Sequence, residues 1–403
     1  MTIRFEMVAK LNLVKDSDNF HCYEEQEFVS GWQNRTVRLN AIAGDNRFLL
    51  QARGGKWKDN DGGTLYLFDT DGKAFQIPFA ERKSPENIEK TANWRRRVID
   101  LDFRDRRMTL RNMVEGESYD ASIAKKYGLS VEDGEADLEA KLEDSNKKRH
   151  EYLSDWDFVS DLYKLLKSDK IKDKKFFIQG EIEFQYSENK KTWYKTYVPH
   201  KIYLAHPEEE YRSKANVILL FDSNALDEGG EDDFGKAFVN GCVTQYDSQT
   251  KSNKFVPYPI VILKPETDDA KENKYYQIRK KRFEIEDDDQ VEVYQMGVVV
   301  DLIDGAQRKG LSVEELPEEV QEAILMGDIS ERDALAQYGG QTYGDRITES
   351  RFSGLMRGYA TGKQETEYRS EDFLNKPKKA QSAEEVELEE DDEDFGNLFD
   401  DVD

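Results

Sequence analysis

The sequence has almost no cysteine. Its two, Cys22 and Cys242, lie far apart, with no CxxC and no Cys/His pair at metal spacing. That excludes a disulfide framework and argues for a reduced, intracellular chain without a zinc site. Histidine is equally scarce: His21, His150, His200 and His206 stand in no HExxH or comparable pattern. GxSxG, GxGxxG, DxDxDG and the phosphate-cradling GxxxxGKS or GxxxxGKT are all missing, so no enzyme, metal or cofactor is expected. No apolar run approaches the roughly eighteen residues of a membrane span. Met1 to Lys10 alternates apolar and polar residues, unlike a signal peptide, and a cytoplasmic location is the expectation.

Charge and aromatic rings are what the chain has in quantity. It is 35% charged and 11% aromatic, with 21 Phe, 20 Tyr and 5 Trp, which is too aromatic for a wholly disordered chain. Its 84 acids against 59 bases give a formal net charge of −25, which taken alone argues against nucleic acid. The distribution argues otherwise. Glu384 to Asp403 hold twelve acids and no base, and without them 72 acids face 59 bases, a net of −13. About half the excess therefore sits in a tail that cannot fold alone, because it lacks apolar surface and repels itself.

The fold class expected is β-rich α+β: one or more OB-like barrels or a small β-sandwich, with a helical insertion and a disordered acidic tail. Residues 1–111 read as an N-terminal β region. Ile3 to Leu11 alternate with period two, Thr36–Ala43 and Arg47–Arg53 flank a turn, and Asp71-Gly72 signals a hairpin. Val98–Leu110 reads as one more, arginine-rich, strand. Residues 112–170 read as a helical insertion or connector. Strands Phe176–Tyr186, Thr192–Leu204, Val217–Phe221, Ala237–Tyr246 and Phe255–Leu263 give an OB-like β domain over 171–304, with at least two strands in Tyr275–Ile303. Short helices over 305–338, a linker over 339–383 and the tail, 384–403, complete the chain.

Basic residues in the body cluster beside rings. On a strand, Lys191, Trp193, Lys195 and Tyr197 share one face, opposite Tyr194, Thr196 and Val198. An exposed row of two rings and two ammonium groups suits sequence-tolerant single-strand binding, in which bases stack and cations track phosphates. The run from Arg95 to Arg111 carries seven arginines, among them Arg95, Arg97, Arg104 and Arg107, and could track phosphates. Alternatively, the interleaved Asp100, Asp102 and Asp105 neutralise it locally. Arg53-Gly54-Gly55-Lys56-Trp57-Lys58 reads as a contact loop through Lys56 and Trp57. The acids Asp222, Asp227, Glu228, Glu231, Asp232 and Asp233 read as a solvated loop. In the tail, Phe395, Leu398, Phe399 and Val402 stand at i, i+3, i+4 and i+7, as in a docking peptide for a basic, apolar-pocketed partner.

A β body with interleaved rings and bases, a linker and a terminal acidic block carrying Phe resembles single-stranded DNA-binding proteins, closest to those of large double-stranded DNA bacteriophages. The resemblance rests on this plan and on Glu384–Asp403, whose apolar residues are set back from Asp403. It implies single-stranded DNA as partner, with roles in DNA replication, recombination and repair in the host cytoplasm. Bases would stack on Trp193 and Tyr197 while Lys191, Lys195 and the arginines of 95–111 neutralise phosphates. The tail would compete with DNA and recruit replication or recombination proteins. The alternatives are a virion or assembly structural protein, and an accessory factor that binds a polymerase through the acidic tail.

Overall fold

The alternation that begins at Ile3 builds a half-buried strand. Ile3, Phe5, Met7, Ala9 and Leu11 are buried, and Arg4, Glu6 and Asn12 face out. The computed structural model describes residues 3–373 except 18–19, 60–61, 188, 230–234, 248–250, 266, 268, 286–290, 310–316, 327–328, 331–333 and 335–341. The tail and its Phe395, Leu398 and Phe399 lie outside the described residues.

The first half opens with β1 (Ile3–Leu13), β2 (Tyr23–Glu27), β3 (Trp32–Ala43) and β4 (Asn46–Trp57), then a separate hairpin of β5 (Thr64–Phe68) and β6 (Ala74–Pro78). A mixed segment follows: α1 (Pro85–Lys90), β7 (Arg97–Asp100), α2 (Arg104–Glu115), α3 (Ala121–Lys126), α4 (Glu135–Lys147), β8 (Arg149–Tyr152) and α5 (Asp155–Leu166). The long hairpin of β9 (Lys175–Ser187) and β10 (Thr192–Leu204) ends this half. The second half holds β11 (Arg212–Asp222), β12 (Leu226–Asp227), β13 (Lys236–Asp247), β14 (Ser252–Leu263) and α6 (Ala270–Lys281). After these come β15 (Val293–Lys309), α7 (Glu318–Met326), β16 (Thr342–Leu355) and β17 (Gln364–Glu365). The chain is thus β-rich with few helices.

The pairing closes twice. β1 pairs with β3 and β9, β3 with β4, β4 in parallel with β10, and β10 with β9. Strands β11, β13, β14, β16 and β15 repeat the circuit, again with one parallel contact, between β14 and β16. The circuits are joined because β1 also pairs antiparallel with β11, Arg4 opposite Asn216 and Val8 opposite Arg212. Their interiors form one apolar cluster, from Phe5, Leu39 and Phe48 in the first to Val217, Ile260 and Val298 in the second. Burying each such side chain stabilises by about 1.5–3 kcal/mol. Helix α5 adds Phe158, Val159 and Leu162 to that cluster, and Ser154 caps it by accepting the Trp156 N–H. Helices α2, α3 and α4 pack on one another around Leu110, Met113, Ala124 and Leu138.

Several expectations are corrected. Arg104–Glu115 is helical, and only Arg97–Asp100 of the arginine-rich segment is a strand. Thr109, Leu110 and Met113 lie on one buried helix face, Asp105 suits the first turn, and Gly116 ends the helix at φ +70°. Ala270–Lys281 is a helix where a strand was expected; Asp269 caps it by accepting the Lys271 N–H. Thr342–Leu355, inside the expected linker, is strand β16, because polar Ser350 is buried with Phe352 and its hydroxyl bonds the Tyr258 hydroxyl at 2.9 Å. The expected 171–304 unit is divided differently by the pairing, which groups 175–204 with 3–57 and 212–355 among themselves. Gly54 and Gly55 belong to β4 rather than a contact loop. A Cβ on Gly54 would stand 2.2 Å from the Asp155 carbonyl carbon, and one on Gly55 would stand 2.0 Å from the Trp32 ring. Within the short helices expected over 305–338, residues 331–338 fall almost wholly outside the described residues.

Side chains also tie the circuits together beyond β1: Asn46 on β4 accepts the Asp304 N–H of β15 at 3.0 Å. The Gln245 amide accepts the Phe184 N–H and donates to the Phe184 carbonyl, both at 2.8 Å, standing in for a neighbouring strand. Gln245→Ala should therefore lower stability by about 1–3 kcal/mol. A urea midpoint equal to wild type would show that this tie contributes nothing.

Candidate nucleic-acid interface

The β9–β10 hairpin presents two unlike faces. Glu183 and Gln185 lie across from Thr196 and Tyr194 on one; Phe184 and Tyr186 lie across from Lys195 and Trp193 on the other. The second was expected to face solvent, and it does not. Tyr197 is only 3% exposed, with the Phe5 and Phe48 rings edge-on at 5.5 and 5.3 Å. Trp193 and Lys195 are partly buried, and Lys195 lies 5.2 Å from the Tyr197 ring centre. Lys191 alone of the four is exposed, in the hairpin turn at φ +48°. Alternation was read correctly, but which face meets the core depends on partners distant in sequence: Phe5 and Phe48 for Tyr197, and the second barrel for Trp193 and Lys195.

The arginine run divides into spent and unspent charges. Asp100 is fully buried and receives both terminal nitrogens of Arg107, whose Nε and Nη2 also bond the Ser145 hydroxyl and carbonyl. Arg107 is therefore a structural residue holding α2 against α4, which corrects its assignment to phosphate. Arg106 donates through one terminal nitrogen to Asp102. Arg97 bonds Asp155 at 2.6 Å, and Arg96 bonds Glu151 at 2.7 Å. Arg95 and the exposed Arg104 have no ion pair among the described residues. Of the last two sequence candidates, Lys56 lies 4.8 Å from the Trp156 ring centre, and Trp57 is 46% exposed with Trp32 edge-on at 5.2 Å.

The first face of the hairpin gathers several cationic side chains. The β9–β10 register slips between Pro199 and Lys201, leaving His200 as the extra residue of a bulge. Bulges re-aim side chains, and both His200 and Lys201 reach one depression of 330 Å³ with Arg4, Glu181 and Trp94. Gly180, opposite the bulge, makes room: a Cβ there would stand 2.1 Å from the Val198 oxygen. An adjoining depression of 120 Å³ brings Gln51, Arg53, Arg97 and Thr196 to the other side of His200. Burial first, and then the charges of Arg97, Arg95, Lys201 and Arg4, together lower the His200 pKa to about 3. The floor is mixed, since Glu181 and Glu183 also line it. Burial raises the Glu183 pKa, and the neighbouring Glu181 adds to the rise.

A row of exposed rings leads to this groove. Tyr66 and Phe68, two residues apart on β5, are 66% and 36% exposed, and Trp94 is 55% exposed with its ring 5.3 Å from Phe68. Two residues apart on a strand, Tyr66 and Phe68 share a face, but nothing in the sequence placed that face beside Trp94 and His200. Among the described residues no group of three or more His, Cys, Asp or Glu could hold a metal ion.

No protein-family model matches the chain, and no curated protein does. Among solved structures the chain is similar to a deletion mutant of the single-stranded DNA binding protein from Thermus aquaticus. The identity is 7%, the match covers 75% of this chain and 87% of that one, and the TM-score is 0.27. A likeness of that depth carries no argument about fold or function.

His200 gives the groove a measurable pH signature. Its folded pKa is depressed below the unfolded value of 6.5, so its contribution is complete above pH 6.5 and is lost as pH falls toward 3. Wild type should lose about 2 kcal/mol more stability than His200→Gln between pH 7.5 and pH 5. Parallel stability curves for the two proteins in chemical denaturation would contradict this environment for His200.

Proposed function

We propose that this chain binds single-stranded DNA without sequence preference, as a non-catalytic protein with no cofactor. Each strand circuit runs first-second-third-fifth-fourth-first with the third and fifth strands parallel, the connectivity of an OB barrel, here present twice. OB barrels bind oligonucleotides across their second and third strands and the loops beside them. The observation that carries the reading is the convergence of Arg4, Arg95, Arg97 and Lys201 on His200, beside the exposed rings of Trp94, Phe68 and Tyr66.

The parts divide the work by chemistry. The rings supply π-faces on which bases stack, each worth about 1–3 kcal/mol. Arg95 and Lys201 attract phosphates and release their counterions. Glu181 and Glu183 on the floor accept from base amino and imino groups, which keeps phosphates toward the cationic rim. Strand binding at this groove fits a role in replication, recombination or repair. The twelve acids of Glu384–Asp403 compete with the strand for the same cations. Once displaced, they are free to recruit replication proteins through Phe395, Leu398 and Phe399.

Titration of a labelled oligo(dT) at several salt concentrations tests this. Trp94→Ala should lower affinity by about 1–3 kcal/mol. The double substitution Arg95→Ala and Lys201→Ala should reduce the salt slope by about 1.4. Ending the chain at Ala383 should raise affinity at low salt. No oligonucleotide binding by wild type would refute the reading, and unchanged affinity after truncation would refute the tail's part in it.

A further inference from the structure

The buried face of the β9–β10 hairpin covers a second, separate cavity. It measures about 280 Å³ and lies between the barrels, with Phe184, Trp193 and Lys195 from the first and Phe238, Tyr258 and Pro259 from the second. Its walls are mostly rings and prolines, and its uncommitted polar groups are both donors. The Trp193 Nε1–H is buried without a hydrogen-bond partner among the described residues. Lys195 has no carboxylate at ion-pair distance there, and desolvation depresses its pKa. Buried donors without partners are rare in folded proteins, and a largely desolvated ammonium with only a ring beside it is unfavourable.

The nearby acceptors are already engaged. Glu349 lines the cavity but is bound by Lys236 and by Arg351, the latter at 3.0 Å. Asp304, the one carboxylate whose charge reaches Lys195, accepts from Arg346 at 2.9 Å and from Thr348 at 3.3 Å. Ser350 donates to the Tyr258 hydroxyl. What completes this site is an anion carrying a flat apolar body and at least one acceptor.

We propose that the cavity takes one nucleotide, its phosphate on Lys195 and its base among the rings, with a base oxygen or ring nitrogen accepting the Trp193 N–H. This rests on the reading of the chain as a strand-binding protein and goes beyond it, because the groove lies on the opposite face of the same hairpin. The exposed Lys190 and Lys191 at the hairpin turn stand between the two faces. A strand lying in the groove passes around that turn and delivers one unstacked nucleotide to the cavity. Single-strand recognition commonly uses bases splayed out of the stack in this way.

Labelled oligo(dT) binding to the full chain tests the proposal through two variants. Lys195→Met should lower affinity about tenfold and reduce the salt slope by about 0.7, the share of one phosphate. Its melting temperature should not fall, because the variant removes a buried charge. Trp193→Phe should lower affinity about threefold and leave the slope unchanged. If both variants bind as wild type does while Trp94→Ala weakens binding, the cavity is a void between barrels and only this proposal fails. If wild type binds no oligonucleotide, the strand-binding reading itself fails. Thymidine monophosphate that stabilises wild type but not Lys195→Met, with oligo(dT) affinity equal in both, would assign the cavity to a free nucleotide and overturn the strand-borne one.

Discussion

A single strand, β1, has to satisfy three neighbours, and the arrangement of everything else follows from how it does so. Along Ile3–Lys10 one edge pairs with β9. The other edge pairs first with β11, over Arg4–Val8, and then with β3, over Lys10–Leu13. The change of partner lets one strand close its own barrel and hold the second. Along Arg4–Val8 both edges are paired, so a one-residue slip would break both barrels and turn Phe5 and Met7 outward. The hairpin packed on β1 inherits that rigidity, and with it the groove on one of its faces and the cavity on the other.

Charge obeys the same logic of commitment. A formal −25 describes no surface of this molecule. Asp100 and Asp102 hold Arg107 and Arg106 inside the helical segment, where breaking a buried pair would be strongly destabilising. Arg4, Arg95 and Lys201 meet beside His200 because the bulge there, the start of β1 and the chain that connects β6 to β7 arrive from distant parts of the sequence. Local neutralisation and long-range convergence together decide what the average sign hides.

Much of this could be read from the residues, and the failures have physical causes. Two-residue alternation revealed β1, β3, β4, β9 and β10, and Asp71-Gly72 marked the turn between β5 and β6, because each depends only on neighbours in sequence. Alternation cannot say which face is inside when both are amphipathic. Tyr197 and Trp193 were therefore assigned to solvent, whereas Phe5 and Phe48 enclose Tyr197 within the first barrel and the second barrel covers Trp193. Residues 104–110 of the expected strand Val98–Leu110 were misassigned because the apolar face of α2 is short and its partner, α4, is itself polar. Strand β16 was lost in a polar stretch, since a strand buried by hydroxyl pairing, as Ser350 is with Tyr258, carries no hydrophobic signature. The ring row of Tyr66, Phe68 and Trp94 was invisible as a unit because only tertiary structure makes it one.

The two barrels share a strand plan but not an inventory. Between its third and fourth strands the first holds residues 58–174, with a hairpin, two short strands and five helices; the second holds only 264–292 at the same place, with α6. Had two identical chains associated through their first strands, symmetry would have forced the same surface on both. A single polypeptide is free of that constraint. One copy can elaborate its outer face while the other is kept as a brace, and the ratio between them is fixed at translation. The peptide link thus makes specialisation heritable in a way that self-association could not.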